Sequence, residues 1–204
     1  MRNLSVLKSI ASMLFIFALA GCGKQDTSST DFQALKLFPQ GKPFSGFQLT
    51  SHLSESWQAE QFKGEYSVVF FGFANCPDIC PTTLLDLQIV EQKIKATGTQ
   101  PPRIIFVSVD PDRDTPALLK DYIEYFNPDF YALTGDEANI LSIASQLGVA
   151  YRVEDHEIGD QVYDVDHASA LFVINPQGER IGLFTAPHQA DAIAADLIQL
   201  INQS

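Results

Sequence analysis

The sequence predicts an α/β fold in which helices cover both faces of a mixed central sheet. Residues 67–73 and 103–109 are continuous apolar runs, the pattern of strands covered on both faces. Each run is followed by a segment whose apolar residues have helical spacing. Near the C-terminus, residues 170–174 and 180–184 flank an Asn-Pro-Gln-Gly turn and predict an antiparallel hairpin. Strands that alternate with helices and end in a hairpin indicate a mixed sheet.

The remaining elements follow in order along the chain. A short strand is expected over residues 44–49. A helix is predicted to begin near Pro81 and to be closed by Gly98, and Thr115 is expected to cap a second helix that stops before Pro128. The other predicted elements are a strand over 130–134, a helix over 136–147, a loop or hairpin over 154–160 and a final helix over 190–202. This order, with two cysteines after an early strand, matches the thioredoxin-like plan.

The composition bounds the class of protein and of partner. The chain has 204 residues, of which 46% are hydrophobic and 19% are charged, and its net charge is -12. That is enough chain and enough apolar content for one domain with its own core. The negative charge argues against nucleic acid as a partner, because phosphates would repel it. A basic protein or a cation stays compatible with it.

An export signal is expected over residues 1–21. Arg2 and Lys8 give the start a positive charge, and residues 10–20 form an apolar run that is too short to span a membrane. The run ends in Leu-Ala-Gly-Cys, which resembles the bacterial lipobox and implies that Cys22 is lipidated. The alternative is an ordinary signal peptide followed by an incidental cysteine.

The predicted domain organisation follows from that signal. Residues 22–42 are expected to be a lipid-anchored flexible linker, because residues 24–30 are polar and rich in Ser and Thr. Residues 43–204 are expected to form the folded, thioredoxin-like domain, as a monomer. The protein is then predicted to lie in the cell envelope, lipid-anchored on the extracytoplasmic (periplasmic) side of a bacterial membrane.

Cys76 and Cys80 are the feature most indicative of function. Lipidation of Cys22 would leave them as the only thiol pair of the exported chain. A structural disulfide is the default use of two cysteines after export, but a bridge across so short a loop removes little chain entropy. At a helix start, the i, i+4 spacing places both sulfurs on one face, and the helix dipole is expected to lower the pKa values of the thiols. A disulfide, peroxide reduction and metal binding all stay open on these observations.

Three sequence blocks occur in order along the chain. Residues 72–84 read Gly-Phe-Ala-Asn-Cys-Pro-Asp-Ile-Cys-Pro-Thr-Thr-Leu, residues 107–116 read Val-Ser-Val-Asp-Pro-Asp-Arg-Asp-Thr-Pro, and residues 165–167 read Val-Asp-His. The first block looks like the copper-site signature of the Sco (SenC-like) family of copper chaperones, and the other two resemble further blocks of that family. The similarity extends over roughly residues 43–200.

The resemblance implies a copper site formed by Cys76, Cys80 and His167. Two thiolates are soft ligands suited to Cu(I), and an imidazole completes a three-coordinate site that also holds Cu(II). It further implies a metallochaperone that helps to assemble the dinuclear copper centre of cytochrome c oxidase. The implied partner is a copper-accepting oxidase subunit or another copper protein. Ala74 and Ala168 depart from the family, where Thr and Ser are common, and both changes affect hydrogen bonding near the ligands.

Several carboxylates are candidates to support the implied ligands. A metal-bound His usually donates its other N–H to a carboxylate or a carbonyl, which makes Asp164 and Asp166 candidates. Asp78 lies between the thiols, and Asp110 follows the neighbouring strand, at the sheet edge where ligand sites of α/β folds occur. Asp112 and Asp114 are expected to have structural roles. The other histidines are expected to be solvated: His52, His156 and His188.

The competing hypothesis is an enzyme that uses Cys76 and Cys80 as a redox pair. It would be a thiol–disulfide oxidoreductase that reduces oxidase-subunit cysteines, or a thiol peroxidase. Thioredoxin-like folds commonly carry Cys-x-x-Cys, whereas three residues separate the thiols here, and the spacing alters loop strain and redox poise. Copper or redox sensing is a third hypothesis.

Overall fold

The computed structural model describes residues 31–203. Its strands are β1 (Lys36–Pro43), β2 (Leu49–Ser51), β3 (Ser56–Trp57), β4 (Ser67–Gly72), β5 (Arg103–Ser108), β6 (Tyr131–Thr134), β7 (Tyr151–Val153), β8 (Val165–His167), β9 (Leu171–Ile174) and β10 (Glu179–Phe184). Its α-helices are α1 (Ile79–Ala96), α2 (Pro116–Phe126), α3 (Glu137–Leu147) and α4 (Ala190–Asn202), and a short 3₁₀ helix spans Ala59–Phe62. Across residues 31–203, no helix is long and apolar enough to cross a membrane.

Eight of the strands form one mixed sheet in the order β1-β10-β9-β4-β5-β6-β2-β3. The central strands β4, β5 and β6 are parallel, and β9 joins β4 in the antiparallel direction. Every residue of β4 is buried, which explains its continuous apolar sequence. The hairpin predicted near the C-terminus is the antiparallel pair β9–β10.

Helices cover both faces of the sheet, as the sequence predicts. Alternate residues of a strand point to opposite faces, so Phe70 and Phe71 belong to different halves of the core. Phe70 packs in one cluster with residues of α1, α2 and α4, whereas Phe71 packs in another with residues of α3. The predicted thioredoxin-like α/β class with a mixed sheet is therefore confirmed.

The predicted helix boundaries have clear local causes. The Thr115 side chain accepts a hydrogen bond from the backbone N–H of Leu118 at 3.3 Å, and Pro116 is the first residue of α2. Asp136 caps α3 in the same way, at 2.8 Å from the N–H of Asn139. Gly148 ends α3 at a φ of 79°, a left-handed conformation that favours glycine.

The strand predicted over residues 44–49 is wrong for all but its last residue. The segment before Leu49 runs irregularly because Phe44 and Phe47 point to the same cluster, and their rings lie 4.9 Å and 6.3 Å from the ring of Phe62. A regular strand would turn some of these apolar side chains toward the opposite face.

The fold also begins earlier than the predicted linker boundary at residue 43. Lys36–Pro43 forms the edge strand β1, which pairs with β10. Ahead of it, the buried carboxylate of Asp196 in α4 accepts hydrogen bonds from the backbone N–H groups of Gln33, Ala34 and Leu35, at 2.9, 2.7 and 2.8 Å. The predicted signal peptide, Cys22 and the linker up to residue 30 lie outside the described residues.

Candidate metal centre

Cys76, Cys80 and His167 meet at the carboxyl end of the central strands. One sulfur or nitrogen atom from each lies within 4.8 Å of the others, and in the described part of the chain this is the one group of three or more such side chains placed to hold a metal ion. The Cys80 Sγ lies 3.3 Å from Nε2 of His167. The cysteines follow β4 and enter α1, whereas His167 ends β8, so distant parts of the sequence form the site.

The start of α1 brings the two sulfurs together. Cys76 lies before the helix, where its backbone N–H donates to the carbonyl of Phe73 at 3.2 Å. Its Sγ accepts a hydrogen bond from the backbone N–H of Cys80 at 3.4 Å, so the sulfur satisfies one of the unpaired N–H groups of the first helical turn. A thiolate at this position would gain from the same N–H group and from the helix dipole.

Cys80 is completely buried, with Gly72 of β4 beneath its sulfur. A Cβ at position 72 would lie 2.6 Å from Sγ of Cys80 and 2.7 Å from the ring of Phe106, so only glycine leaves room for this side chain. Burial raises the pKa of the Cys80 thiol above its usual range, and the hydrogen bond with Cys76 raises it further. The expectation that the helix start lowers the thiol pKa is therefore wrong for Cys80, because burial is the largest influence on this pKa and raises it.

His167 reaches the sulfurs from a separate two-stranded ribbon formed by β7 and β8. It pairs with Tyr151 across the ribbon, and its ring lies edge-on to Phe73, with the ring centroids 5.9 Å apart. Burial lowers the pKa of His167, which favours the neutral imidazole that ligates metals. Nδ1 lies 3.2 Å from the carbonyl oxygen of Ala168, and this contact assigns the proton to Nδ1 and leaves the lone pair of Nε2 facing Cys80.

The four carboxylates that the sequence predicts to support the ligands lie in different environments. Asp78 is exposed at the N-cap of α1 and its side chain makes no capping hydrogen bond. Asp164 and Asp166 are exposed, and Asp166 pairs with Arg152 at 3.4 Å. The hydrogen-bond acceptor that the structure places on the His167 ring is therefore a carbonyl rather than either carboxylate. Asp110 is buried, and its carboxylate binds Arg113 and Tyr163.

Asp114, which the sequence predicts to be structural, supports the cysteine loop. Its Oδ2 accepts hydrogen bonds from the backbone N–H of Ala74 at 2.9 Å and from the hydroxyl of Ser108 at 2.6 Å, so it ties the cysteine loop to the end of β5. Burial raises the pKa of the Asp114 carboxyl to about 6, although both hydrogen bonds lower it. The bond at position 74 uses the backbone, so it needs no side-chain hydroxyl there. The sequence feature that points to this role is the position of Asp114 in the second sequence block, residues 107–116.

The histidines expected to be solvated are held by contacts. His52 is buried, and its Nδ1 accepts a hydrogen bond from the N–H of Ala132 at 3.2 Å. His156 stacks on the ring of Tyr163 and its Nε2 lies 2.9 Å from a carboxylate oxygen of Asp112. The Nε2 of His188 lies 2.7 Å from the carbonyl of Ser169. The prediction is wrong for His52, which is buried against β6, whereas His156 and His188 are partly exposed.

Comparison with known proteins gives a consistent result. The family model described as SCO1/SenC matches residues 39–202. A "putative copper-binding protein" of Stutzerimonas stutzeri is 29% identical over 97% of this chain and 98% of that protein. The crystal structure of Arabidopsis thaliana ScoI with copper bound matches with a TM-score of 0.71 and 30% identity, covering 79% of this chain and 99% of that one.

A further similar structure concerns redox chemistry. It is BsSco, described as a member of the Sco family of cytochrome c oxidase assembly proteins with a disulfide switch. Its TM-score is 0.61 and its identity 26%, over 82% of this chain and 99% of that one.

Proposed function

The chain belongs to the SCO1/SenC family, and on this basis we propose that it is a copper-binding metallochaperone that helps to assemble the dinuclear copper centre of cytochrome c oxidase. The observation that carries the proposal is the convergence of Cys76, Cys80 and His167 within 4.8 Å. The recipient in this proposal is a copper-accepting oxidase subunit or another copper protein.

The donor set suits copper. Two thiolates are soft ligands that favour Cu(I), and the neutral imidazole of His167 provides a nitrogen that also suits Cu(II). Cu(I) on two thiolates and a neutral imidazole carries one net negative charge, which the N-terminus of α1 helps to stabilise. Because burial raises the pKa of the Cys80 thiol, loading releases a proton there and becomes more favourable as pH rises.

The site is also arranged for release. Cys76 is only half-buried, so a recipient thiol has access to one side of the bound metal. His167 lies on the β7–β8 ribbon rather than in the main sheet. A carrier benefits from few ligands and an exposed edge, because its recipient has to replace those ligands one after another.

We further propose that the protein acts from the cell envelope. Supporting this are the lipobox-like sequence that ends at Cys22 and the positive, apolar segment that precedes it. Lipidation of Cys22 would hold the folded domain on the extracytoplasmic side of a bacterial membrane. Mass spectrometry of the membrane-extracted protein tests this: diacylglyceryl mass on Cys22 is expected, and a Cys22→Ser variant released from the membrane supports it.

An anaerobic Cu(I) titration against a competing chelator tests the copper site. The reduced parent is expected to bind one equivalent, the Cys76→Ser, Cys80→Ser double variant none, and His167→Ala one equivalent with lower affinity. His52→Gln is the matched control, because His52 is a buried histidine beside β6 and remote in sequence from the site. Unchanged affinity in both ligand variants would contradict the assignment.

The cellular role is tested separately. Deletion of the gene is expected to lower oxidase activity, added copper to restore part of it, and the parent gene to restore all of it. Complementation by the double cysteine variant should fail. Normal oxidase activity in the deletion strain under copper limitation would contradict the assembly role. It would not contradict the assignment of the copper ligands.

A second candidate function uses the same thiols as a redox pair. Both cysteines are free, and their sulfurs lie within 4.8 Å of each other. When the two thiols form a disulfide they give up two protons and two electrons, which reduce and open one disulfide in the recipient. BsSco, with its disulfide switch, favours this candidate. Turnover of insulin disulfides or of peroxide by the metal-free protein would support it over copper delivery.

A further inference from the structure

Residues 154–168, which include β8 and are called the histidine loop here, meet the loop that carries the cysteines at the buried guanidinium of Arg113. Arg113 lies between β5 and α2, and its side chain is only 5% exposed. Its Nε donates to Oδ2 of Asp110 at 2.5 Å, so the guanidinium is held in one orientation. This ion pair includes none of the three proposed metal ligands. The metal site by itself therefore does not explain why Arg113 is buried here.

Arg113 binds the histidine loop through its second nitrogen and through its flat face. Nη1 donates to the carbonyl oxygens of Gln161 and Tyr163, both at 3.3 Å. The guanidinium carbon lies 3.6 Å from the centre of the Tyr163 ring, and the Tyr163 hydroxyl donates to Oδ1 of Asp110 at 2.5 Å. Arg113, Tyr163 and Asp110 thus form a closed set of contacts that fixes the chain just before β8.

The same guanidinium faces the cysteine loop. Its carbon lies 5.6 Å from the ring centre of Phe73. Phe73 in turn accepts the backbone hydrogen bond of Cys76 and meets the His167 ring edge-on at 5.9 Å. Arg113 therefore contacts one residue that fixes the thiol side and two that fix the imidazole side.

We infer that Arg113 is a positioning residue that couples His167 to the dithiol, so that the imidazole adds its affinity for the metal only when Arg113 holds the histidine loop. This inference rests on the proposed copper site. Arginine is required because the role uses both the fork of N–H donors and the planar face, and lysine offers neither. An arginine that served only global stability would weaken all three ligands alike.

A thermodynamic cycle of Cu(I) affinities separates these roles. The cycle compares the parent, Arg113→Met, His167→Ala and the double variant by anaerobic competition with a chelator. Arg113→Met is expected to lower affinity about 10-fold in the parent, as loss of a supporting contact usually does, and to change nothing when His167 is already alanine. An equal loss in both backgrounds, or no loss in the parent, overturns the inference.

The matched control is Arg180→Met. Arg180 also donates to a carbonyl, that of Leu147 at 2.6 Å, and covers an aromatic ring, that of Phe38, at 4.5 Å. It occupies β10 and should leave the Cu(I) affinity unchanged. If Arg113→Met fails to fold, Tyr163→Phe replaces it, because this variant removes one hydrogen bond and keeps the ring; the same dependence on His167 is expected with a smaller loss.

A metal-free measurement completes the test. In the reduced protein without copper, hydrogen exchange of amides in residues 154–168 is expected to be faster in Arg113→Met than in the parent, with the first turn of α1 unchanged. Unchanged exchange in the loop overturns the inference. If His167→Ala leaves the parent affinity unaltered, the assignment of His167 as a copper ligand fails as well; if His167→Ala lowers it and the cycle shows no coupling, only the role of Arg113 fails.

Discussion

The two halves of the candidate metal centre are built in different ways. The thiol half lies where β4 of the eight-stranded sheet leads into α1, and Cys80 is completely buried there against Gly72. The imidazole half lies on the two-stranded ribbon, and His167 is only partly buried. One half is part of the core, and the other is held against it by side chains.

The difference assigns different tasks to the ligands. Because Cys80 is buried and closely packed, we expect the thiols to supply most of the affinity for the metal. Because His167 lies on the ribbon and outside the main sheet, we expect its attachment to be the easiest to change when a metal is bound or released. The four predictions below test this division, from the largest expected effect to the smallest.

The largest effect is expected for the thiols. Removing one of three ligands should lower the Cu(I) affinity about 1000-fold in both Cys76→Ser and Cys80→Ser, since structural metal sites are worth roughly 10 kcal/mol or more in total. Only Cys80→Ser should also lower the free energy of unfolding, by about 1–3 kcal/mol, because it buries a hydroxyl in an apolar site. Urea unfolding of the metal-free proteins checks this, and equal stability of the two variants would contradict the division.

His167→Ala should have the next largest effect. We expect the Cu(I) affinity to fall about 30-fold, or about 2 kcal/mol, and the Cu(II) spectrum to lose its nitrogen coupling in electron paramagnetic resonance. The free energy of unfolding should change far less than in Cys80→Ser, because the ring belongs to the ribbon. A loss of affinity as large as that of the thiol variants would show that the two halves contribute equally.

Gly72→Ala tests the packing beneath Cys80. The added Cβ would approach Sγ of Cys80 to 2.6 Å, so the variant should lose about 1–3 kcal/mol of unfolding free energy. The displaced sulfur should lower the Cu(I) affinity about 10-fold, by the same order as a lost supporting contact.

Gly182→Ala is the matched control for that variant. Its Cβ would meet the carbonyl oxygen of Lys36 at 2.7 Å, in the edge pair β1–β10. It should be destabilised without any change in Cu(I) affinity. If both glycine variants bind copper like the parent, the space beneath Cys80 has no influence on the metal.

Asp114→Asn leaves the three proposed ligands unchanged, and its effect is expected in the pH dependence of stability. The carboxyl has a pKa of about 6 in the fold against 3.8 as its model value, so the folded protein holds this proton more tightly than the unfolded chain does. The stability that the protonated Asp114 carboxyl contributes is fully present below about pH 4 and is lost as pH rises through about 6. Two pKa units correspond to at most about 3 kcal/mol.

The measurement is the difference between parent and Asp114→Asn in urea unfolding from pH 4 to pH 7. The parent should lose stability relative to the variant as pH rises over that range. Parallel curves would show that the Asp114 carboxyl has an ordinary pKa in the folded protein.

The sequence predicted those parts of the molecule that local chemistry determines. Thr115 and Gly148 mark helix ends whose hydrogen bonds involve neighbouring residues, and β4 has the composition of a strand buried on both faces. The convergence at the strand ends was also predictable, because the order of strands and helices brings those ends to one edge. The three proposed ligands followed from a resemblance rather than from spacing alone.

What could not be predicted depends on contacts between distant residues. The pKa of Cys80 is decided by burial, which the position at a helix start does not reveal. Asp114 and Arg113 act on loops about 40 and 50 residues away in the sequence, at Ala74 and Tyr163. Neighbouring residues in one polar segment therefore bind opposite halves of the site, and no pattern in that segment assigns them.

The Asp196 carboxylate has a mechanical consequence. It accepts hydrogen bonds from three successive backbone N–H groups just before β1. Its helix, α4, packs on the same core cluster as α1. A pull on the chain ahead of residue 33 is therefore borne in shear by these bonds and by the β1–β10 pair, and passes into α4 and the edge of the sheet. We therefore expect tension on the N-terminal segment to be taken up first where the chain enters the fold, at the Asp196 hydrogen bonds and the β1–β10 pair.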